Sequence, residues 1–218
     1  MNIKVNGVNI YYEETGEGLP LILLHGNGED STIFSKLAPR LAEKFKVYTI
    51  DSRNHGQSEK TDDYSYETMA EDVCEFIQAM DMEKPGIVGF SDGAISALLL
   101  AIKHSGIPGR LALLGINLKP EDFTEESYRY LKEEYEKTRD PLIKLMLTEP
   151  DIRLEDVKNV KVPVLLFGAE NDIFKPESFE ILEKALPNAR LIVMDGHDHG
   201  SYIVNNDLTC HDLTAFFA

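Results

Sequence analysis

Short apolar runs that alternate with helical segments constrain the fold of this chain more than any other feature. Residues 21–24 are wholly apolar and residues 47–50 nearly so, as expected of strands buried on both faces of a sheet. Residues 66–80 place Met69 and Phe76 on one helical face. Strands that alternate with helices of about 10–15 residues form βαβ units. The alternation therefore predicts an α/β fold, with a mostly parallel twisted sheet of about eight strands and helices on both faces.

The remaining apolar runs and turns locate the other elements of this sheet. An Asn-Gly pair at residues 6–7 supplies the positive φ angles of a tight turn between hairpin strands at 3–5 and 8–13. Helical spacing covers residues 31–44, and Pro176 stands in the first turn of a later helix. Further strands are predicted at residues 87–90, 111–114, 164–167 and 191–194, and further helices at residues 94–104, 176–186 and 208–217.

One acidic stretch interrupts the alternation. Residues 119–151 mix glutamates with tyrosines and leucines, which predicts two or three amphipathic helices between strands. Such a stretch is either a solvated helical layer or a lid over a site, because open α/β sheets bind ligands where insertions of this kind emerge. We predict a small helical lid insertion at residues 118–151.

Charge and composition exclude several classes of protein. The chain has 218 residues, 43% of them hydrophobic, and a net charge of −16, so we expect one domain over residues 1–218. So acidic a chain is poorly suited to bind nucleic acid or anionic membranes. No apolar run approaches the ~20 residues of a membrane span, and residues 1–7 do not resemble a secretory signal. Cys74 and Cys210 lack disulfide or zinc spacing, which favours a reducing, cytoplasmic setting.

A glycine-flanked serine carries the sharpest chemical signal. Residues 89–93 read Gly-Phe-Ser-Asp-Gly, with an apolar strand directly before them and a helix directly after. In this strand–turn–helix context Ser91 is exposed at the end of the sheet, beside the free N–H groups of a helix N-terminus. The alternative is a glycine-flanked turn in which the serine has no chemical role. We predict that Ser91 is a nucleophile.

A serine nucleophile also needs donors that stabilise an oxyanion. Residues 25–28 (His-Gly-Asn-Gly) follow the first buried strand, and their glycines free backbone N–H groups to point into a pocket. We predict the amides of Asn27 and Asp92 as the oxyanion donors, against the alternative of a plain loop. Residues 51–58 follow the second buried strand and are polar, so they are expected to support the site by hydrogen bonding. We interpret His55 as structural.

These motifs together resemble the α/β-hydrolase superfamily, in the form of a serine hydrolase with a small lid. The matches are His25-Gly26, the polar loop at residues 51–58, and the nucleophile turn at residues 89–93, in the order of the family. Asn54 stands where the family usually has glycine, and the insertion is shorter than most caps in the family. The resemblance covers essentially the whole chain.

The resemblance implies an acid after a late strand and a histidine after the last strand. Asp172 lies in a turn similar to the family's glycine-x-x-Asp turn, and Glu170 is its rival. For the histidine, the family spacing of strand, glycine, two residues and histidine fits His199, whereas His197 is placed in the turn, two residues too early to reach Ser91. A metal site that uses both histidines lacks a third ligand at a recognised spacing.

The predicted activity follows from these residues. A Ser91-His199-Asp172 triad implies hydrolysis of a small ester-like substrate, such as a carboxylic ester, thioester or lactone, through an acyl-enzyme, with no cofactor and no metal. The same triad also serves acyl transfer, peptide hydrolysis or C–C bond hydrolysis. A ligand-binding receptor on the same fold is a further alternative. The expected partner is a small acyl substrate, and oligomeric state is left open.

Overall fold

The computed structural model describes all 218 residues and contains an eight-stranded sheet. The sheet order is β1-β2-β4-β3-β5-β6-β7-β8. Strands β1 and β2 form an antiparallel hairpin, and β2 also pairs antiparallel with β4. The other five strand pairs of the sheet are parallel. The predicted mostly parallel sheet is confirmed. The strands are β1 (Asn2–Val5), β2 (Val8–Thr15), β3 (Leu19–Leu24), β4 (Phe45–Ile50), β5 (Gly86–Phe90), β6 (Arg110–Leu114), β7 (Val164–Asn171) and β8 (Ala189–Asp198).

Helices cover both faces of this sheet, as predicted. Neighbouring residues of a strand point to opposite faces, so Ile22 and Leu24 join one buried cluster while Leu21 and Leu23 join the other. The first cluster packs against α2, α3, α6 and α7, and the second packs against α1 and α8. No helix has the length and apolar character needed to cross a membrane. The helices are α1 (Leu37–Leu41), α2 (Tyr66–Ala79), α3 (Asp92–Lys103), α4 (Glu125–Thr138), α5 (Pro141–Thr148), α6 (Leu154–Val157), α7 (Pro176–Ala185) and α8 (Cys210–Phe217).

Three predicted elements differ by several residues from the structure. The helix expected at residues 31–44 is a 3₁₀ turn, Ser31–Phe34, followed by the short α1. Pro39 explains the break, because proline donates no hydrogen bond and is tolerated only in the first turn of a helix. The last two strands also run beyond their apolar cores. Asn171 still pairs with Asp198, across an irregularity in the register.

The stretch at residues 118–151 is helical, and its helices begin where the sequence provides caps. Thr124 accepts a hydrogen bond from the N–H of Ser127 at the start of α4, and Asp140 caps α5 with proline directly after it. Phe123 forms an isolated antiparallel bridge with Phe174. This bridge joins the start of the insertion to the loop that follows β7.

Candidate active site

The nucleophile candidate occupies a sharp turn between β5 and α3. Ser91 has φ 51° and ψ −114°, an unusual conformation for a non-glycine residue. A Cβ on Gly89 would lie 2.3 Å from the carbonyl oxygen of Gly93, and a Cβ on Gly93 would lie 2.3 Å from the carbonyl oxygen of Leu24. Gly89 is therefore required because a side chain there would collide with the other end of the same turn. Gly93 is required because a side chain there would collide with the backbone of β3.

Three predicted side chains lie in one hydrogen-bonded series. The Nε2 atom of His199 is 3.1 Å from the Oγ atom of Ser91, and its Nδ1 atom is 2.8 Å from Oδ1 of Asp172. Since a carboxylate only accepts, Nδ1 carries the proton and Nε2 is free to accept from the serine hydroxyl. The side chain of Asp172 is 1% exposed, and its carboxylate also accepts the N–H of Ala169. This arrangement can move a proton from serine to imidazole.

Packing holds the imidazole of His199 in place. Its ring centroid lies 5.0 Å from that of Phe90 and 5.3 Å from that of Phe174, the latter edge to face. Gly115, just after β6, has φ 58°, and a Cβ there would lie 2.6 Å from Cε1 of His199. Sequence reasoning missed Phe174 and Gly115. The available signal for Gly115 was a glycine directly after an apolar strand, at the sheet edge where the other site residues lie.

The two rival residues have other partners. Glu170 accepts the N–H of Gly196 at 2.7 Å on the exposed surface. His197 lies within β8 and not in the predicted turn, and its Nδ1 atom is 3.1 Å from the hydroxyl of Ser201. Glu170 is therefore not bonded to His199, and His197 is not bonded to Ser91.

Two backbone N–H groups beside Ser91 have no acceptor within the protein. Asp92 is the first residue of α3, so its N–H has no partner inside the helix. The N–H of Asn27, in the turn after β3, is also unpaired. The structure thus leaves both predicted oxyanion donors free to bind a ligand.

The polar loops after β3 and β4 are tied to each other. His25 is buried; its Nδ1–H donates to the carbonyl of Gly26 and its Nε2 accepts the N–H of Ser52. Burial, with a smaller effect of the neighbouring His55, lowers the pKa of His25 to about 4, so this ring is neutral at pH 7. Burial also lowers the pKa of His55, whose Nδ1 bonds the carbonyl of Arg53.

Asn54 adopts the backbone conformation that explains the glycine usual at its position. Its φ of 67° is left-handed, a region that asparagine tolerates better than most residues. The side-chain amide adds what glycine lacks, because Nδ2 donates to the carbonyl of Asp63 and Oδ1 accepts the N–H of Thr61. The departure from the family pattern therefore preserves the turn.

A cavity of about 500 Å³ opens over Ser91 and His199. Two carboxylates, those of Glu29 and Glu126, also line it, and no lysine or arginine does. Burial raises the pKa of Glu29, while a hydrogen bond from the N–H of Gly26 lowers it. A second cavity, of about 630 Å³, lies beside β2 and β4 and contains no candidate site residue. The apolar wall of the first is formed by Phe90, Phe123, Tyr130, Leu131, Met146 and Ile173.

One group of side chains has the spacing of metal ligands. Glu71, Cys74 and His104 hold donor atoms within 4.8 Å of one another, where α2 meets the end of α3. None of them lines the cavity over Ser91. His104 also lies 3.0 Å from the Glu71 carboxylate, an ordinary imidazole–carboxylate hydrogen bond.

Comparison with known proteins assigns the family. Residues 20–140 match the sequence model of the alpha/beta hydrolase fold family. The chain belongs to this family. The alpha/beta hydrolase match spans more than half of the chain and includes the predicted nucleophile turn, and it makes the protein an enzyme of the hydrolase type.

Named relatives of this alpha/beta hydrolase include esterases. The human serine hydrolase BPHL is 27% identical and aligns over 92% of this chain and 80% of its own length. A pimeloyl-[acyl-carrier protein] methyl ester esterase of Legionella pneumophila (strain Corby) is 24% identical over 92% of this chain and 96% of its own length. Among solved structures, an esterase from Exiguobacterium antarcticum superimposes with a TM-score of 0.86 at 21% identity, covering 99% of this chain and 98% of that one. The structural likeness supports the fold.

Proposed function

We propose that this alpha/beta hydrolase is a serine hydrolase that cleaves small ester-like substrates through an acyl-enzyme on Ser91. The observation that carries the proposal is the hydrogen-bonded series from Ser91 through His199 to Asp172, which opens into a largely apolar cavity. The esterase names of the relatives support an ester-like substrate.

The proposed reaction has two steps. His199 Nε2 takes the hydroxyl proton as Ser91 Oγ attacks the ester carbonyl, and the resulting oxyanion accepts the N–H groups of Asn27 and Asp92. The ester C–O bond then breaks, and His199 gives its proton to the leaving alcohol. His199 next removes a proton from water as the water oxygen attacks the acyl-enzyme. The bond between Ser91 Oγ and the acyl carbon then breaks, the acid is released, and His199 returns the proton to Ser91 Oγ.

Trapping of the acyl-enzyme tests this proposal. After brief reaction with p-nitrophenyl acetate and an acid quench, an acetyl group is expected on the peptide that contains Ser91, as read by mass spectrometry. Acetylation of a different residue, or release of p-nitrophenol with no adduct, contradicts the proposed nucleophile. Adding an alcohol, a thiol or an amine and identifying the products separates hydrolysis from acyl transfer.

We further propose that residues 118–151 form a lid within one domain of residues 1–218. Six residues of this segment line the cavity over Ser91, and the first of them also bridges to the loop after β7. The lid then defines the space available to the acyl chain. The lining residues are the apolar or aromatic Phe123, Tyr130, Leu131 and Met146 and the polar Glu126 and Ser127.

Met146→Ala is expected to shift the acyl-chain preference toward longer esters by about tenfold in relative kcat/KM, because a pocket enlarged by one or more methylenes gains about 1–3 kcal/mol of selectivity. A series of p-nitrophenyl esters of increasing chain length measures this shift. Tyr135→Ala is the matched control, since its ring belongs to the same insertion but packs beside Arg139 and does not line the cavity. An unchanged acyl-chain preference in Met146→Ala contradicts the lid and favours a solvated helical layer at residues 118–151.

The two cavity carboxylates predict discrimination by charge. A p-nitrophenyl ester with a terminal carboxylate is expected to react more slowly than a neutral ester of equal length, because like charges repel and no cation in the cavity offsets them. Glu126→Gln should raise kcat/KM for the anionic ester about fivefold and leave the neutral ester unchanged, since two charges about 4 Å apart in water interact by about 1 kcal/mol.

Glu125→Gln provides the control for this charge effect. Glu125 is exposed and carries the same charge, but it does not line the cavity. An equal gain in both variants points to the net charge of the protein and contradicts a local effect of Glu126.

A further inference from the structure

A buried carboxylate beside the nucleophile joins several parts of the candidate site. Asp92 is 5% exposed, and its two oxygens have different partners: Oδ2 accepts from Nδ2 of Asn27 and Oδ1 accepts from the hydroxyl of Tyr66, each at 2.8 Å. It does not line the 500 Å³ cavity, but together with Ser91 and Tyr66 it lines a small cavity beside it. We propose that the side chain of Asp92 is a positioning residue that sets the geometry of the oxyanion site, a role that rests on the function proposed above.

The side-chain bond connects the same two residues whose backbones supply the donors. Asn27 lies on the loop after β3, and Asp92 lies at the start of α3. A single hydrogen bond between their side chains therefore restrains the relative position of their two N–H groups. Oxyanion stabilisation depends on donors that are already aligned before charge develops. A displacement of about 1 Å at such a site can lower the rate about 10²-fold.

Two further contacts extend the restraint to neighbouring elements. Tyr66, the first residue of α2, is 1% exposed, and its hydroxyl donates to the carboxylate oxygen of Asp92 that Asn27 does not contact. The Nδ2 atom of Asn27 also donates to the carbonyl of Leu142 in α5, at 3.2 Å. The oxyanion loop is thus bonded both to the nucleophile turn and to the inserted helix. A shift of α5 acts on the same amide group that contacts Asp92.

The ionised form of Asp92 completes this set of bonds. Burial raises the pKa of Asp92 to about 6, while the hydrogen bonds from Asn27 and Tyr66 lower it and nearby His199 also favours the charge. Burial raises the pKa of Tyr66 well above its ordinary value, so its hydroxyl remains a donor. At pH 7 the carboxylate accepts from both partners, and neither partner is left unpaired.

The experiment compares turnover with binding of a transition-state analogue. Asp92→Asn removes the negative charge that strengthens both bonds and replaces one acceptor by an N–H₂ donor, which cannot accept from Nδ2 of Asn27. We expect kcat for a p-nitrophenyl ester to fall about 10²-fold, with KM changed less than about threefold. Affinity for an aryl trifluoromethyl ketone, which forms a tetrahedral oxyanion on the serine, should fall by the same factor as kcat.

A second variant protects the test against a failure of Asp92→Asn to fold. Asn27→Ala removes the partner amide from a partly exposed loop and keeps the backbone N–H, so it should reproduce the losses in kcat and ketone affinity. The double variant should be no worse than the single ones, because both remove the same bond. Asp63→Asn is the charge-matched control on an exposed carboxylate outside the site.

The outcomes separate this proposal from the proposed function. An active wild-type enzyme whose Asp92→Asn and Asn27→Ala variants fold and keep their ketone affinity overturns the positioning role alone. Losses that are additive in the double variant also overturn it. A wild-type protein that neither hydrolyses the ester nor binds the ketone overturns the serine hydrolase mechanism, and the positioning role with it.

Discussion

Replacement of Ser91 by alanine is expected to lower ester hydrolysis by at least about 10⁴-fold, because loss of the nucleophile removes the covalent route entirely. The free energy of unfolding should change by less than about 2 kcal/mol, since only one hydroxyl is removed from a strained position. Steady-state kinetics with a p-nitrophenyl ester and urea unfolding of both proteins measure the two quantities.

Ser96→Ala is the matched control for this substitution. Ser96 is also buried and lies on α3, the helix that Ser91 precedes, but its hydroxyl donates only to the backbone carbonyl of Asp92. Its variant should retain activity within a few-fold of the wild type. Substantial residual hydrolysis in Ser91→Ala, or labelling of another residue by a fluorophosphonate probe, would show that the nucleophile lies elsewhere.

His199→Ala is expected to lower kcat by at least about 10³-fold, the scale for one member of a cooperative triad. The reason is geometric: Nε2 of His199 is 3.1 Å from the serine oxygen, within the range for direct proton transfer. His197→Ala should cost only about tenfold or less, through the shape of the loop, because its imidazole bonds Ser201. Turnover of both variants at one pH, together with their melting temperatures, provides the comparison.

The pair of histidine variants also tests the register of the last strand. If His197→Ala is the inactive variant while His199→Ala retains turnover, the base has been assigned two residues too late. In that case Asp172→Asn and Glu170→Gln would need to be compared in the same assay, because the acid is defined by its bond to the base.

The fold could be predicted from sequence because its evidence is local. A wholly apolar strand such as β3 signals burial on both faces within four residues, and each helix repeats its apolar spacing within its own length. The prediction was wrong at residues 31–44, where the apolar spacing spans Pro39; a helix accepts proline only in its first turn, so α1 begins at Leu37. The extended end of β8 was missed because its pairing with β7 involves polar, exposed residues.

The site was harder to predict from the sequence than the fold, because its contacts join distant parts of the chain. Ser91 was indicated by its own turn, but His199 lies 108 positions away from it and was located through a family spacing. The packing role of Gly115 and the bonds of Asp92 to Tyr66 and Asn27 depend on how separate elements meet. No local pattern encodes such contacts.

The bridge between Phe123 and Phe174 limits how the insertion can be exchanged. The N–H of Thr124 donates to the carbonyl of Ile173, and the N–H of Lys175 donates to the carbonyl of Asp122. The first residues of the insertion are therefore paired antiparallel with the loop that carries Asp172. A chimaera that replaces everything from residue 118 to residue 151 would also remove this pairing. Cap grafting intended to change substrate range should therefore begin at α4, leaving residues 122–124 as part of the host framework.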